Sequence, residues 1–172
     1  MKRFLLILLT LALCISAFSG CTQNVGEEQS TDLRLPETPS IFPLAPPHLF
    51  VSDGKTTVEA WRGTSSWLVE DENGLGSGIE ADSAHPLDCK DNLPMLEISQ
   101  KSILTLYFEA TPSKITVKRY KLSATDYDDY DEIAVTSGTF EAKAGGYVYE
   151  IIASWNGQNY SGTVYYAFKT EK

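Results

Sequence analysis

Between Tyr147 and Phe168 the chain alternates with a period of two, and this stretch sets the terms for the rest. Tyr147, Tyr149, Ile151, Ala153 and Trp155 fall on one side, with Val148, Glu150, Ile152 and Ser154 on the other. Asn156-Gly157-Gln158-Asn159 supplies a turn, and Val164, Tyr166 and Phe168 return on the same inner side. Successive side chains of a strand point to opposite faces of its sheet, so the pattern demands a hairpin with one face in a core.

The same grammar runs back to His48, in short β-rich runs broken by turn signals about every ten residues. Strands are predicted at 48–52, 56–62, 65–71, 76–82, 95–99, 103–110, 114–122, 132–141, 146–155 and 161–170. Glu72-Asn73-Gly74 joins two of them, because Asn-Gly supplies the positive φ angles of a tight hairpin. Leu104, Leu106 and Phe108 alternate with Thr105 and Tyr107, and Ile115 and Val117 with Lys114, Thr116 and Lys118. No amphipathic helix of useful length follows residue 21. The predicted fold class is all-β, an antiparallel β-sandwich.

Gly145-Gly146-Tyr147-Val148-Tyr149 resembles the tyrosine corner that opens the penultimate strand of immunoglobulin-like sandwiches. In that resemblance Tyr147 is the corner tyrosine and Tyr149 fills the place of an antibody cysteine. Lys143 departs from the acidic residue usual there, and neither a cysteine pair nor a matching central tryptophan accompanies it. A wider resemblance rests on Trp67, on His85-Pro86-Leu87-Asp88 and on the closing Gly-Gly-Tyr-x-Tyr-Glu…Trp…Gly-Thr…Tyr-x-Phe block. Over residues 55–170 these are similar to an exported bacterial domain of small lipoproteins and of the outer ends of some sensor-type membrane metallopeptidases. The resemblance implies a β-sandwich outside the membrane and assigns no catalytic residue.

Ahead of this domain, Lys2 and Arg3 precede an uncharged, mostly apolar run from Phe4 to Phe18. That order, ending in small residues, is a secretory signal peptide, and the run is short for a permanent span of roughly 20 apolar residues. Ala17-Phe18-Ser19-Gly20-Cys21 resembles the lipobox of bacterial lipoproteins, with Phe18 where leucine is commoner. The resemblance implies cleavage before Cys21 and acylation of its thiol; two or three chains there would anchor stably where one holds only marginally. Residues 1–20 are thus expected to be a lipoprotein signal peptide and 21–47 a lipid-anchored tether. The tether carries five of the eight prolines, Pro36, Pro39, Pro43, Pro46 and Pro47, and proline stiffens such a segment into a spacer. Ile41, Phe42 and Leu44 are apolar enough to dock on the domain as an edge strand. The β-sandwich is expected over 48–172.

Loss of the leader leaves 152 residues, enough for one domain with a substantial core. Basic residues fall from 14 to 12 against an unchanged 23 acidic ones, a formal charge of −11. An acidic surface excludes nucleic acid as a partner and a basic patch for anionic lipids. Beyond Cys21 only Cys89 remains, so an internal disulfide is impossible and Cys89 is expected to be buried as a small hydrophobe.

His85-Pro86-Leu87-Asp88-Cys89-Lys90 is where His, Asp and Cys meet. The spacing suits neither a nucleophile beside its base nor a zinc site, and the expected role of His85 is to hydrogen-bond the backbone. Asp126, Asp128, Asp129 and Asp131 crowd one loop and form a candidate calcium site, though without the glycine or flanking helices of an EF-hand; a solvated loop is the favoured reading. No cofactor is expected. Nine tyrosines and three tryptophans are many for one small domain, and the inward alternation gives most of them to the core; Trp61, Tyr127, Tyr130 and Tyr160 are the candidate binding aromatics, Tyr120 and Tyr165 likewise have no obvious inward place, and core or scattered surface positions are favoured over a binding patch.

These features lead to a membrane-anchored extracytoplasmic lipoprotein acting as a non-catalytic binding or accessory module, with a protein or cell-wall polymer as partner. The alternatives are a small wall or carbohydrate hydrolase, with Glu70, Asp71, Glu80 and Asp82 flanking the first hairpin, and a sensory partner of a membrane peptidase. A two-lobed solute receptor is too large for this chain.

Overall fold

The computed structural model describes residues 43–71 and 73–172. The signal peptide, the lipidation site Cys21 and the tether as far as residue 42 lie outside the described residues. Among the described residues eleven strands follow in order: β1 Leu49–Ser52, β2 Thr57–Glu59, β3 Trp61–Glu70, β4 Gly76–Ala81, β5 Met95–Glu97 and β6 Ser102–Phe108. Then come β7 Lys114–Lys121, β8 Asp131–Ile133, β9 Thr139–Ala142, β10 Tyr147–Asn156 and β11 Tyr160–Glu171. No described helix is long and apolar enough to cross a membrane.

The strands make two sheets. One has the order β2-β1-β6-β9; the other runs β4-β3-β11-β10-β7-β8, with β5 pairing in parallel with β11. All other pairings are antiparallel. β6 and β9 pair in one sheet, while β7, β10 and β11 pair in the other with β8 beyond β7. These are the B–E and C–F–G neighbours of an immunoglobulin-like sandwich, extended by a C′-type edge strand.

The inner faces meet as the alternation requires. Leu49, Val51, Leu104, Leu106, Phe140 and Ala142 from the smaller sheet pack on Trp67, Val117, Tyr149, Ile151, Ala153, Trp155, Val164, Tyr166 and Phe168 from the larger. Trp67 and Trp155 meet edge to face at 5.3 Å. No tryptophan stands on β7, the counterpart of strand C, so β3 and β10 supply the central indoles instead.

Four expectations change. The predicted strand 132–141 is two: β8 joins the larger sheet and β9 the smaller, and the chain turns through Ser137 (φ 51°) and Gly138 (φ 73°) between them. Runs 56–62 and 65–71 break at Ala60 instead, leaving ten continuous residues in β3. Pro43–Pro47, assigned to the tether, belong to the fold: the carbonyls of Pro43, Pro46 and Pro47 accept hydrogen bonds from Trp67 Nε1 (3.1 Å), Arg62 Nη1 and Tyr166 Oη (2.6 Å). Leu44 nevertheless stays exposed. The corner tyrosine is Tyr149, whose hydroxyl accepts the Lys143 backbone N–H at 3.0 Å; Tyr147 instead lies under the Arg119 guanidinium, 5.2 Å from ring centre.

Titration follows from these contacts. Asp53 is held below the usual carboxylate range chiefly by the Thr56 backbone N–H, Asp71 by those of Leu75 and Asn73, and Asp131 by its bond from Arg119. Tyr120, Tyr149 and Tyr166 are pushed up, in each case first by burial. The depressed carboxylates stabilise the fold above an unfolded-state pKa of about 4, and their contribution disappears as pH falls through the lower folded values. The raised phenols stabilise it below about 10, and theirs disappears as pH rises towards the folded values. Thermal melts are therefore expected to show a plateau with a decline on both sides. Asp131→Asn should shrink the acid decline, and an unchanged acid limb would refute the Arg119–Asp131 contribution.

Candidate functional site

The hairpin between β3 and β11 contains the local irregularity that shapes the outer surface. Val164 pairs with Ser65 and Tyr166 with Arg62, so Gly63 and Thr64 together oppose Tyr165, a β-bulge. A Cβ on Gly63 would stand 3.1 Å from the Trp61 ring, so the missing side chain there leaves room for the indole. Trp61 and Tyr165 are thereby left half-buried on the face turned away from the core.

Part of that outer face is covered. The connection between β4 and β5 crosses it, burying Leu87 and Leu93 against Tyr120, Val148 and Ala167 as a second apolar cluster, with Trp61 and Cys89 at its margin. Beside the cover the sheet is open. A cavity of about 310 Å³ lined by Trp61, Gly63, His85, Pro86, Glu150 and Tyr165 adjoins one of about 420 Å³ lined by Ser66, Glu80, Asp82 and Thr163. Thr64 and Tyr165 belong to both, so the two form one groove.

Glu150 lies at the groove's inner end and is only 4% exposed. Its Oε2 accepts the Tyr120 hydroxyl at 3.1 Å and stands 3.7 Å from Lys118 Nζ. The Lys118 ammonium also sits 4.4 Å above the Tyr130 ring. Nearer the rim, Glu80 Oε1 accepts the Ser66 hydroxyl at 2.6 Å.

The His85 loop is an ordered support. His85 Nδ1 accepts the Leu87 N–H at 3.2 Å, the backbone role expected of it. Its ring stacks on Tyr127 at 4.0 Å, and the Tyr127 hydroxyl lies 2.7 Å from both Asp88 oxygens. The Cys89 thiol is directed at the carbonyls of His85 and Pro86 (3.6 and 3.8 Å), and burial pushes its pKa up. A nucleophile needs the opposite, a thiolate beside an imidazole. Cys89 is only partly buried, less than its expected place in a core.

The four candidate aromatics therefore separate. Trp61 lines the groove. Tyr127 and Tyr130 stay exposed outside its lining, Tyr127 stacked on His85 and Tyr130 under Lys118. Tyr160 is a correction: it stacks on Trp67 at 5.5 Å and packs against the main core, because its inward register on β11 places it there. In the acidic loop the carboxylates have separate partners. Asp126 accepts the Asp128 N–H at 2.9 Å and Asp131 bonds Arg119, so the carboxylates, Asp129 included, do not converge. Among the described residues no three His, Cys, Asp or Glu side chains are grouped to hold a metal ion.

Sequence reasoning missed Glu150 as a groove residue. The available signal was a lone carboxylate amid the apolar run Tyr147–Ile152, on the side opposite the core. Comparisons with protein-family models, curated proteins and solved structures give no match.

Proposed function

We propose that the mature protein is held by a lipid on Cys21 at the extracytoplasmic face of the cell membrane and serves there as a non-catalytic binding or accessory module. The observation that carries the binding reading is the groove: a concave site on the open outer face of the larger sheet, with Trp61 and Tyr165 as its aromatic walls and Thr64, Ser66, Glu80, Asp82 and Thr163 as its polar stretch. The partner is a protein or a wall polymer; an acidic surface disfavours nucleic acid. The leader and lipobox residues carry the anchoring reading.

Two experiments separate these readings. Cys21→Ala is expected to move the protein from the membrane fraction to the soluble one, and undiminished membrane retention would remove the anchor. Crosslinking of the full-length protein in intact cells should capture a partner that Trp61→Ala loses. Capture indifferent to Trp61 would remove the groove.

The hydrolase alternative draws on Glu80, Asp82 and Glu150 lining adjoining cavities, since paired carboxylates serve glycoside cleavage. Against it, Glu80 and Glu150 are already engaged by Ser66, Tyr120 and Lys118. Release of reducing sugar from purified wall polymer, abolished by Glu150→Gln, would replace the binding reading.

A further inference from the structure

We propose that β4 is a docking edge for a second copy of this chain, the two β4 strands pairing antiparallel about a two-fold axis through Gly78. This pairing stands apart from whatever the groove binds.

The edge is the first ground. β4 ends the larger sheet, and among the described residues no strand pairs with its outer side. The other terminal strands, β2, β8 and β9, have three or four residues, whereas β4 has six. Sheet edges are commonly blunted by shortness, a bulge, proline or lysine, because open N–H and C=O groups recruit a further strand. Gly76-Ser77-Gly78-Ile79-Glu80-Ala81 contains neither proline nor lysine, is exposed at every position and keeps continuous register with β3.

Hydrogen bonding decides which groups are open. The Asp71 N–H donates to the Leu75 carbonyl on the β4 side, while the Glu70 N–H donates to the Asn159 carbonyl on the β11 side. Bonded pairs alternate along an antiparallel ladder, so Ser77, Ile79 and Ala81 bond β3, and Gly76, Gly78 and Glu80 turn their N–H and C=O outward. Two of those three are glycines, which let a second backbone come close.

Self-complementarity names the occupant. With Gly78 opposite Gly78 of the other copy, Gly76 faces Glu80, Ser77 faces Ile79 and Leu75 faces Ala81, and the three outward residues bond one another. No like charges are opposed, whereas a register centred on Glu80 would set carboxylate against carboxylate. The pairing also covers apolar surface. Leu75 is 71% exposed and Ile79 40%, and Leu44 and Leu68 are exposed beside them. An axis perpendicular to the sheet keeps both outer faces on one side, so the groove bordered by Glu80 in each copy opens the same way. On the binding reading, a polymer is then held at two points.

The test uses the full-length protein. In cells, with Cys89→Ser as background, an oxidant should join Gly78→Cys chains into a product of twice the chain mass, since paired Cα atoms about 5.5 Å apart suit a disulfide. Ala81→Cys should give none, its two copies lying about 20 Å apart in this register. In detergent with micelles in excess, sedimentation at up to about 100 µM chain should show a monomer–dimer equilibrium. Gly78→Pro should weaken it about tenfold or more, the loss of both bonds of the central pair. That proline leaves the single domain intact: its nitrogen faces away from β3, and a Cβ there meets only the Trp67 carbonyl oxygen at 3.7 Å. Gly78→Ala keeps the N–H and should change the dissociation constant by less than about threefold.

A single chain at every concentration, equal crosslinking at positions 78 and 81, a product of any other mass, or a dimer indifferent to Gly78→Pro would overturn the proposal. A single chain whose melting temperature falls with Gly78→Pro would do so too, since the edge would then be filled from within the chain. If Gly78→Pro does not fold, the two cysteine variants still decide it. Capture that depends on Trp61 tests the binding reading separately, so either can fail alone.

Discussion

Trp67→Ala is expected to destabilise the domain by about 3–5 kcal/mol, the range for removing a large aromatic ring from a packed core. The indole is 1% exposed and lies between the sheets. Trp155 meets it edge-on at 5.3 Å, Tyr160 stacks on it at 5.5 Å, and its N–H donates to the Pro43 carbonyl at 3.1 Å. Three parts of the chain thus lose a neighbour together: β10, the start of β11 and the segment before β1. Whole-domain stabilities are about 5–15 kcal/mol, so one substitution removes a large share. In a melt this corresponds to a fall of roughly 10–20 °C for a domain of this size. Trp67→Phe separates the contributions, keeping most ring packing and losing the N–H bond, a difference of about 1 kcal/mol. A Trp67→Ala protein melting within a few degrees of the parent would show that the indole is not a central packing element.

That core was legible because alternation is a one-dimensional signal. A strand with one buried face writes its orientation into every second residue, and Tyr149, Ile151, Ala153, Trp155, Val164, Tyr166 and Phe168 are all buried on the side the pattern assigns. The Asn73-Gly74 turn was legible for the same local reason: Gly74 has φ +75°, and Asp71 Oδ1 accepts the N–H groups of Asn73 and Leu75. Pairing between distant strands leaves no such trace. Nothing local distinguishes β8 from β9 except Ser137-Gly138, a turn signal that the surrounding β-favouring residues outweighed. The parallel pairing of β5 with β11 is likewise a matter of tertiary position.

The groove was half legible. Trp61 stands out as an aromatic without an inward place, and Glu80 and Asp82 as carboxylates flanking a hairpin. Glu150 does not, because a residue on the outer face of a strand is ordinarily wet. Its burial depends on the connection from Ser83 to Pro94 lying across the sheet, which Leu87 and Leu93 secure without any periodic pattern. The same cover explains Tyr120, outward by alternation yet fully buried. Tyr149 is a further case: both tyrosines of the corner sequence have inward register, and only the three-dimensional path of Lys143–Gly146 decides which hydroxyl reaches the backbone.

Gly162→Ala is expected to cost about 3 kcal/mol or more, although it adds a single methyl group, because overpacking against atoms that cannot move is at the severe end of its range. Gly162 pairs with Trp67 across the β3–β11 ladder. A Cβ there would stand 2.2 Å from the Ser66 carbonyl oxygen, 2.9 Å from Trp67 Cε3 and 3.0 Å from Trp67 Cα. Two of those atoms are backbone and the third belongs to a ring already fixed by Trp155 and Tyr160, so no rotamer change relieves the contact. The strands must part or slip. Slippage would move the bulge at Gly63–Thr64 and with it Trp61, so the groove should suffer along with stability. Gly74→Ala is the contrasting substitution, since its Cβ would meet nothing within 4 Å and only the left-handed backbone is strained, at about 1–2 kcal/mol. Chemical denaturation of the two variants should therefore rank Gly162→Ala well below Gly74→Ala, with the Trp67 indole signal displaced only in the former. Equal stability of the two would mean that β3 and β11 are not paired in the register that brings Trp67 against Gly162.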